Sequence, residues 1–560
     1  MKLKKLTFGS GLIKTNLKRF WWTSALMTVY LFLMLPMSVI NQIRYTVPTI
    51  TREYDPYMHI FENIMENNAI VYAIAFPLIL GCLILNYLHR VNSVTAFHSL
   101  PYTRESLYAS AFLSGTILIL IPMIVNALLL IVIMPFGGVV SSYSIFDILK
   151  ICGHYTLFTL MELSICFLVG MFTGNFFAHG AFSVIVNYLP VIIYYLAVEV
   201  LKIFLRGFAG ENDMVYDILE NFPGLKAFDA FDMSWQVFII YVVSFIALVL
   251  LGILFYKKRP LESAGDIISF NFFKPIFKYG FTACVMVGGY LVFQGDRKEI
   301  SGIFFALLFA FIGYAAAEML LTKSLRFWKN IKGFIIYVAV SALLVGVIFI
   351  DPVGFTDFVP EKSEIKKAYL NFETNSASVF RDAVGLGEGS NHYYRGNDGA
   401  VFEDEKGIET VLNFHKEVIE IPEARYNDYV VIGYVLENGE TVLRYFEANK
   451  YMLDEKVGKI TKNEDYINAK HPILRREREE VSAVRVQLYS EDREIMITKK
   501  EDINLFLDAM IEDRVALGEV SDYGNHTGYI QLIKSGDKNL HYEFDLSENM
   551  PKSIEVLKGL

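Results

Sequence analysis

The sequence predicts a polytopic α-helical membrane protein with about nine spans, followed by a C-terminal α+β domain. Composition is the first observation: 54% of the 560 residues are hydrophobic and only 20% are charged. The second is that apolar runs of about 20 residues, enough for a helix to cross a bilayer core, recur as far as residue 350 and then cease. We therefore divide the chain into an N-terminal segment at residues 1–20, a membrane domain at 21–350 and a soluble domain at 351–560.

Residues 1–20 are predicted to form a cytoplasmic amphipathic elbow, because apolar residues are interspersed with lysines there. A disordered basic tail is the alternative interpretation. The apolar run that follows is too long for the core of a signal peptide, and no small-residue cleavage site follows it. This run is therefore predicted to be a retained first span.

The predicted spans are residues 21–40, 69–88, 107–134, 152–176, 181–204, 235–256, 277–293, 302–321 and 334–350. Each is an apolar run of roughly the length that a membrane-crossing helix needs. The seventh run is short, but its core, GFTACVMVGGYLVF, carries no charge. We retain it because its removal would place the basic loops on opposite sides of the membrane.

Basic loops orient the spans, since positively charged loops stay on the cytoplasmic side. With nine spans, the main clusters of basic residues fall on one side: Lys2, Lys4, Lys5, Lys14, Lys18, Arg19, Lys257, Lys258, Arg259, Lys323, Arg326, Lys329 and Lys332. The loop after span five is acidic. The prediction is a multi-pass protein of the plasma membrane with a cytoplasmic N-terminus and an extracellular C-terminal domain.

Two ionisable residues fall inside predicted span four. His154 and Glu162 are eight residues apart, about two helical turns, so they can share one face of the helix. Ionisable groups at this depth are costly and usually functional, so the pair is a candidate polar contact between helices. Contact with a substrate is a second interpretation of Glu162. A third interpretation is that the limits of span four are misplaced, so that these side chains lie near the membrane surface and extend to the interface.

Residues 351–560 contain two copies of one pattern, a strand, a helix and a hairpin. In the first copy the strand is IKKAYLNFE, the helix is GIETVLNFHKEVIE and the hairpin turns at Asn438-Gly439. The second copy uses VSAVRVQLYS, KEDINLFLDAMIEDRVA and a turn at residues 535–537. This order predicts an α+β domain with an internal duplication, and chance alternation is the alternative.

Missing motifs exclude several classes of function. The sequence contains no G-x-x-x-x-G-K-[ST], H-E-x-x-H or G-x-S-x-G motif, so the chain is not predicted to be an enzyme or to bind ATP through a P-loop. A hydrolase confined to the outer domain is the remaining enzymatic alternative. The spacing of the four cysteines matches no metal motif, so neither a metal site nor a cofactor is predicted. No basic domain indicates binding to nucleic acid.

The polar stretch between spans two and three, AFHSLPYTRESLYAS, combines a chain break with a helix start. Pro101 disfavours helix at Leu100. Thr103 suits the N-cap of span three, and Glu105 suits the positive end of that helix. A short rigid element in this position can pass motion into the span. An ordinary polar loop with a good cap is the alternative.

This stretch resembles the signature of type 2 ABC exporter permeases (ABC-2) of Gram-positive bacteria, in which H-S-L-P-x-T-R opens the third span. YKKRPLESAGD and AAAEMLLTKSLRFWKNIKGF are similar to further cytoplasmic elements of these permeases. The resemblance covers roughly the first 350 residues and implies an ABC-2-like core. This chain has about three more spans than the simpler members of the family and carries a large outer domain that they lack. The resemblance therefore gives little information about the substrate.

The resemblance implies the membrane subunit of an ABC exporter, working in the lipid bilayer with separate ATPase subunits and a second permease copy or paralogue. ATP would be bound by the partner subunit, and the cargo would be amphipathic, such as peptides, antibiotics or lipids. The ATPase-coupling segment would lie within residues 89–106, with His98, Ser99, Leu100, Pro101, Thr103, Arg104 and Glu105. The cytoplasmic loop motifs would include Lys258, Arg259, Pro260, Glu262, Ser263, Gly265, Glu318 and Lys323. The alternative is a polytopic membrane sensor or scaffold whose outer domain binds a ligand.

Overall fold

The computed structural model describes residues 9–45, 70–133, 144–210, 234–293, 300–372, 377–386, 399–422, 427–489, 493–518, 526–534 and 541–559. The chain forms two compact units. The first comprises Met1–Leu196, Met214–Gly295 and Glu299–Val338. The second comprises Ala197–Asp213, Asp296–Lys298 and Ala339–Leu560. The second unit thus includes residues around the end of span five and the last part of span nine, which the sequence analysis placed in the membrane domain.

Within the described residues, nine helices are long and apolar enough to cross a membrane. Numbered as spans one to nine, they are Ser10–Asn41, Val71–His89, Arg104–Ile133, Ile145–Phe172, Phe176–Phe204, Trp235–Lys258, Phe273–Phe293, Gly302–Thr322 and Phe327–Ile350. The short seventh run is among them. Their length and composition indicate a multi-pass membrane protein.

Span one begins well before residue 20. A single helix, Ser10–Met34, passes from the basic stretch into the apolar stretch without a break, and Pro36–Tyr45 follows it. Neither proline nor glycine occurs between residues 12 and 34, so nothing in the sequence separates a surface helix from the span. Residue 20 is therefore not an element boundary, and the start of the predicted elbow, residues 1–8, lies outside the described residues.

The buried core of the first unit is built from spans one, two, three, four and six. Span two is irregular. It starts as a π-helical turn at Ile70–Ala75, continues as an α-helix at Phe76–Leu85 and ends in a 3₁₀ turn at Asn86–His89. The short helix Val91–His98 follows directly. The polar stretch between spans two and three is thus held against the packed part of the bundle.

In the described residues, the second unit contains two antiparallel sheets. The strands are β1 Gly207–Phe208, β2 Ile365–Asn371, β3 Ala400–Phe402, β4 Asn427–Leu436, β5 Thr441–Asn449, β6 Val481–Leu488, β7 Arg493–Ile497, β8 His526–Lys534 and β9 His541–Ser547. One sheet has the order β1-β5-β4-β2-β3 and the other β7-β6-β8-β9. Apart from β1, the two sheets correspond strand for strand. In both, the pairing of the first strand with the hairpin shifts register near its start.

The helices of this unit are Ala377–Ala383, Glu405–Glu420, Lys450–Thr461, Glu464–Lys470, Lys500–Leu517 and Pro551–Gly559. The predicted order of strand, helix and hairpin is present in both halves. The first hairpin turns at the predicted position, where Gly439 has a φ of +86°. The second predicted turn, residues 535–537, lies outside the described residues. The edge strands β3 and β7 were not predicted, because three and five residues are too few for a clear alternation.

The segment after span five joins the second unit through backbone contacts. β1 pairs with β5, and the Arg206 guanidinium donates to the carbonyl oxygens of Val418, Ile419 and Ile421. These carbonyls lie at the end of the helix Glu405–Glu420, where the helix leaves acceptors unsatisfied and favours a cation. Hydropathy does not detect such contacts, which explains the difference from the predicted boundary.

The buried His415 is expected to make the second unit sensitive to acid. Its Nδ1 atom lies 3.0 Å from the Tyr434 hydroxyl, and burial lowers the pKa of His415 to about 3. The same histidine in the unfolded chain takes up a proton near pH 6.5, so its contribution to stability is complete above that pH and is lost as the pH falls toward 3. At pH 5 we expect the free energy of unfolding to be lower by about 2 kcal/mol from this residue.

Pulse proteolysis of the full-length chain in urea, followed through a C-terminal tag, measures this loss. His415→Gln should reduce the difference between pH 7 and pH 5 by about 2 kcal/mol, and the part that remains is expected from His471, whose pKa is also lowered by burial. The control His526→Gln changes an exposed histidine of the same unit and should retain the difference. Equal pH dependence in the two variants would contradict the assignment to His415.

Candidate coupling site where four spans end

The polar stretch between spans two and three forms a short helix, a turn and a cap. The Ser99 hydroxyl donates to the carbonyl oxygen of Ala96 at 2.8 Å, where the short helix ends. The Thr103 hydroxyl accepts the N–H of Ser106 at 3.2 Å, so Thr103 caps span three as predicted. The tip of the turn (Ser99, Leu100 and Pro101) is exposed.

Arg104 joins the start of span three to the end of span six. Its guanidinium donates to the carbonyl oxygens of Lys257 and Arg259, both at 2.9 Å. The last carbonyls of a helix lack partners within the helix and favour a cation, so Arg104 serves as a C-terminal cap. Glu105 adds an ion pair with the Lys257 ammonium at 2.8 Å. Arg104 and Glu105 therefore connect the polar stretch directly to span six.

His98 and two tyrosines form a second connection to span six. Burial lowers the pKa of His98, and the charges of Arg104 and Arg259 act in the same direction, so the ring is neutral at pH 7. His98 Nδ1 donates to the carbonyl oxygen of Val94 at 2.9 Å, and Nε2 accepts from the Tyr256 hydroxyl at 3.3 Å. Tyr256 in turn lies 3.0 Å from the Tyr87 hydroxyl of span two. His98 and Arg104 thus brace the turn, while Ser99, Leu100 and Pro101 between them are exposed.

Arg259 is buried, with 4% of its surface exposed, and joins three span ends. Its guanidinium donates to Gly170 at 2.8 Å, to Thr173 at 2.7 Å and to Leu88 at 3.2 Å, in each case to the carbonyl oxygen. Leu88 lies at the end of span two, and the other two carbonyls lie at the end of span four. Burial lowers the pKa of Arg259 to about 10, so the side chain stays charged at neutral pH.

The loop after span six pairs with the link between spans four and five. Gly265 N–H donates to the carbonyl oxygen of Gly174 at 2.6 Å, and Gly174 N–H donates to that of Asp266 at 2.9 Å. Gly265 has a φ of +92°, a conformation that glycine adopts without strain. The buried Ser263 closes the turn by donating to the carbonyl oxygen of Pro260 at 2.7 Å. The predicted residues Lys258 and Glu262 are exposed on either side of this turn.

Span eight reaches the same loop. The Lys323 ammonium lies 2.7 Å from the Asp266 carboxylate. One turn inside the span, the buried Glu318 pairs with Lys278 of span seven at 3.2 Å and accepts a hydrogen bond from the Asn330 amide at the start of span nine. The ends of spans two, four, six and eight therefore meet. We call the connected residues His98–Glu105, Arg259–Asp266, Gly174 and Lys323 the span-end cluster.

The two predicted intramembrane residues lie apart from this cluster. His154 is buried, and its ring packs against Phe238 of span six at 5.6 Å between centroids. Both carboxylate oxygens of Glu162 lack a partner at hydrogen-bond distance within the described residues, but the carboxylate interacts with the side chain of Asn187 on span five, so a polar contact of Glu162 between helices stays a prediction. The amide of Asn187, on the facing side of span five, donates within its own helix to the carbonyl oxygen of Ser183 at 2.9 Å.

Several residues of the site were not predicted from the sequence. Tyr87, Tyr256, Gly174 and Lys278 lie in apolar or link segments without a motif. Their contacts join positions about 40 to 170 residues apart. A pattern of neighbouring residues does not show which distant positions come into contact. The basic residues at the end of span six indicated the cytoplasmic side of the membrane. They did not show that the Arg259 side chain is buried.

Comparison with known proteins concerns the second unit only. Residues 434–520 match a family described as a domain of unknown function (DUF6449). The match begins near the end of β4 and extends past the helix Lys500–Leu517, so it spans parts of both sheets. No curated protein and no solved structure matches the chain. The matched segment is less than a sixth of the chain and includes none of the span-end cluster.

Gly174→Ala is expected to separate the two paired loops. A Cβ atom at this position would lie 1.9 Å from the carbonyl oxygen of Ser263 and 2.7 Å from that of Asp266, and backbone cannot yield as a flexible side chain does. Overpacking of this kind costs about 1–3 kcal/mol, so the thermal midpoint of the full-length chain in detergent should fall. Gly153→Ala is the control, because its added Cβ meets no atom within 4 Å. Equal midpoints for the two variants would contradict the described loop pairing.

Proposed function

We propose that the chain is the membrane-spanning permease subunit of an ABC exporter, energised by a separate ATPase subunit. The supporting observation is that the three sequence segments on which the resemblance rests are joined in series: Glu105 of the first pairs with Lys257 of the second, and Asp266 of the second pairs with Lys323 of the third. The H-S-L-P-x-T-R stretch binds the end of span six through Arg104. The K-R-P stretch binds the ends of spans two and four through Arg259.

The arrangement supports a transmission pathway in two steps. An ATPase would dock on the exposed tip at Ser99, Leu100 and Pro101. Displacement of this tip would move the start of span three and, through Arg104, the end of span six. Arg259 would then pass the displacement to spans two and four. A polar loop without such contacts would move by itself and leave the spans in place. Hydrogen bonds from charged donors contribute about 1.5–3 kcal/mol each, so the spans would move together with the loop.

The remaining parts of the proposal follow from the resemblance and from the loop charges. The span-end cluster would face the cytoplasm and the second unit would lie outside the cell. ATP would be bound and hydrolysed by the partner subunits, and two permease chains, identical or paralogous, would form the transporter. Amphipathic cargo such as peptides, antibiotics or lipids suits the aromatic-rich helices.

Cross-linking tests the docking step. Pro101→Cys in the full-length chain, co-expressed with a candidate ATPase, should cross-link to the ATPase, whereas Val353→Cys, at a position 89% exposed, should not. Arg104→Ala should retain the association but lower the ATPase rate of the complex at least fivefold. Lys329→Ala, which removes an exposed cation outside the span-end cluster, is the matched control. Absence of any associated ATPase, or an unchanged rate in Arg104→Ala, would overturn the proposal.

Topology can be tested without an ATPase. A membrane-impermeant maleimide should label Tyr451→Cys, at a position 71% exposed in the second unit, in intact cells. It should label Pro101→Cys only after the membrane is permeabilised. The opposite pattern would invert the proposed orientation.

The alternative, a sensor or scaffold, is favoured by a cleft of about 560 Å³ in the second unit. Charged side chains line this cleft, and they include the ion pairs Lys367–Glu403 at 3.0 Å and Lys406–Asp465 at 2.7 Å. A sensor would bind its ligand here and would associate with no ATPase. The cross-linking experiment therefore separates the two functions.

A further inference from the structure

A second cluster in the first unit, separate from the span-end cluster, brings metal-ligand atoms together. Cys82 of span two, Cys166 of span four and His179 of span five are all buried, and one ligand atom from each lies within 4.8 Å of the others. The two Sγ atoms are 4.0 Å apart, and Cys166 Sγ is 3.4 Å from His179 Nε2. The sequence analysis predicted no metal site because these residues come from three different helices.

Two of the three separations agree with those around a bound cation, and the third, between Cys82 Sγ and the His179 ring nitrogen, is no more than 4.8 Å. Bonds of about 2.3 Å to sulfur and about 2.0 Å to nitrogen, at tetrahedral or trigonal angles, place two thiolates about 3.8–4.0 Å apart and a thiolate about 3.5 Å from an imidazole nitrogen. The observed 4.0 Å and 3.4 Å therefore need little rearrangement. A disulfide would instead need its sulfur atoms at about 2.05 Å.

A second histidine supports the His179 ring from behind. His89 Nε2 lies 3.0 Å from His179 Nδ1, and metal-binding imidazoles usually hold their second nitrogen in such a hydrogen bond. Without a metal, His179 Nε2 donates to the carbonyl oxygen of Cys166 at 2.8 Å. Before binding, His179 Nδ1 accepts from the Nε2–H of His89. On binding, both rings change tautomer: the proton of His179 moves to Nδ1 and is donated to His89 Nε2, and the proton of His89 moves from Nε2 to Nδ1. The two thiols release one proton each, so the imidazole protons are conserved.

The neighbouring polar groups also favour a cation. Glu162 precedes Cys166 by four residues and so lies on the same face of span four. Its buried carboxylate has no partner at hydrogen-bond distance within the described residues, although it interacts with the Asn187 side chain and acts electrostatically on Cys166. The buried hydroxyl of Ser183, one turn beyond His179 in span five, interacts with the Cys166 thiol. A buried carboxylate without a counter-charge is costly, and a bound cation offsets this cost.

We propose that Cys82, Cys166 and His179 bind a thiophilic d¹⁰ cation, Zn²⁺ or Cu⁺. Two thiolates and an imidazole suit both ions. The cation would connect spans two, four and five next to the carbonyls of Leu88 and Gly170 that Arg259 binds. Occupancy should therefore raise the thermal midpoint of the first unit. The site does not depend on the proposed exporter function.

Metal retention by the full-length, tag-free chain in detergent tests the proposal. The chain is reduced, stripped with a chelator and desalted after addition of Zn²⁺ or, anaerobically, of Cu⁺. We expect about one equivalent of at least one of these ions in the wild type. Cys152→Ser is the control, since it changes a buried cysteine outside the cluster, and it should retain as much. Cys166→Ser and His179→Gln should bind at least 100-fold more weakly, and His89→Gln about 10–100-fold more weakly.

A spectroscopic measurement tests thiolate ligation in chains that keep the three proposed ligands, so it does not depend on whether Cys166→Ser and His179→Gln fold. Co²⁺ added to the wild type and to Cys152→Ser should give thiolate-to-cobalt charge-transfer bands of equal intensity. Retention of metal by Cys166→Ser at the wild-type level would overturn the proposal. So would a wild-type chain that retains neither ion, whether its thiols stay free or Cys82 and Cys166 form a disulfide.

Discussion

Arg259→Ala is expected to lower the free energy of unfolding of the first unit by about 3–5 kcal/mol. The variant removes a buried guanidinium and leaves three carbonyl oxygens, at the ends of spans two and four, without their donor. Water cannot readily replace the donor, because Arg259 is only 4% exposed. Equilibrium denaturation in mixed micelles, followed by the fluorescence of the tryptophans, measures the loss.

Two further variants define the role of Arg259. Arg259→Lys should recover only part of the stability, because a compact ammonium cannot reach three separated carbonyls as a planar guanidinium does. Lys258→Ala, at the exposed neighbouring position, should change the free energy of unfolding by no more than about 0.5 kcal/mol. An effect of Lys258→Ala as large as that of Arg259→Ala would show that charge at this end, and not hydrogen bonding to the span ends, is what matters.

Glu318→Ala is expected to lower the free energy of unfolding of the first unit by about 1–3 kcal/mol, because it leaves the half-buried ammonium of Lys278 without its counter-charge. The pair is 3.2 Å apart, with side chains 16% and 5% exposed. The ammonium also lies near the rings of Tyr279 and Tyr314, which cannot replace a carboxylate. Denaturation of the full-length chain, as for Arg259, measures the effect.

The double variant Lys278→Met with Glu318→Leu should recover most of the lost stability, since apolar replacement of a whole buried pair is often neutral. The control is Lys323→Ala, which breaks the exposed pair with Asp266 in the same unit, 2.7 Å long with side chains 56% and 40% exposed. Pairs of this kind contribute about 0.5 kcal/mol. A double variant as unstable as Glu318→Ala would show that Glu318 stabilises the bundle chiefly through Asn330.

Much of the architecture could be predicted from the hydropathy of short stretches and from cap and turn patterns of a few residues. The nine apolar helices follow from runs of about 20 residues, because hydropathy depends only on neighbouring positions. Thr103 was identifiable as a cap and Asn438-Gly439 as a turn, since each is specified by the backbone within a few residues. The matching order of strands and helices in the two halves of the second unit was visible for the same reason.

The partners of the site residues were decided by the tertiary structure alone. Membrane helices are apolar on all sides, because lipid is as apolar as the helices that they pack against. The pattern of side chains therefore does not show which face of span four meets span two or span five. Arg259 could be recognised as basic, but not as a buried donor to Leu88, Gly170 and Thr173.

The sequence by itself determined the number of apolar helices, the polar segments between them and the repeated strand order of the second unit. The tertiary structure decided that these polar segments meet through Arg104 and Arg259, and that Cys82, Cys166 and His179 come together. The physical reason is one of range. Helix and turn formation depends on residues a few positions apart, whereas these contacts join residues up to about 170 positions apart and exist only once the spans have packed.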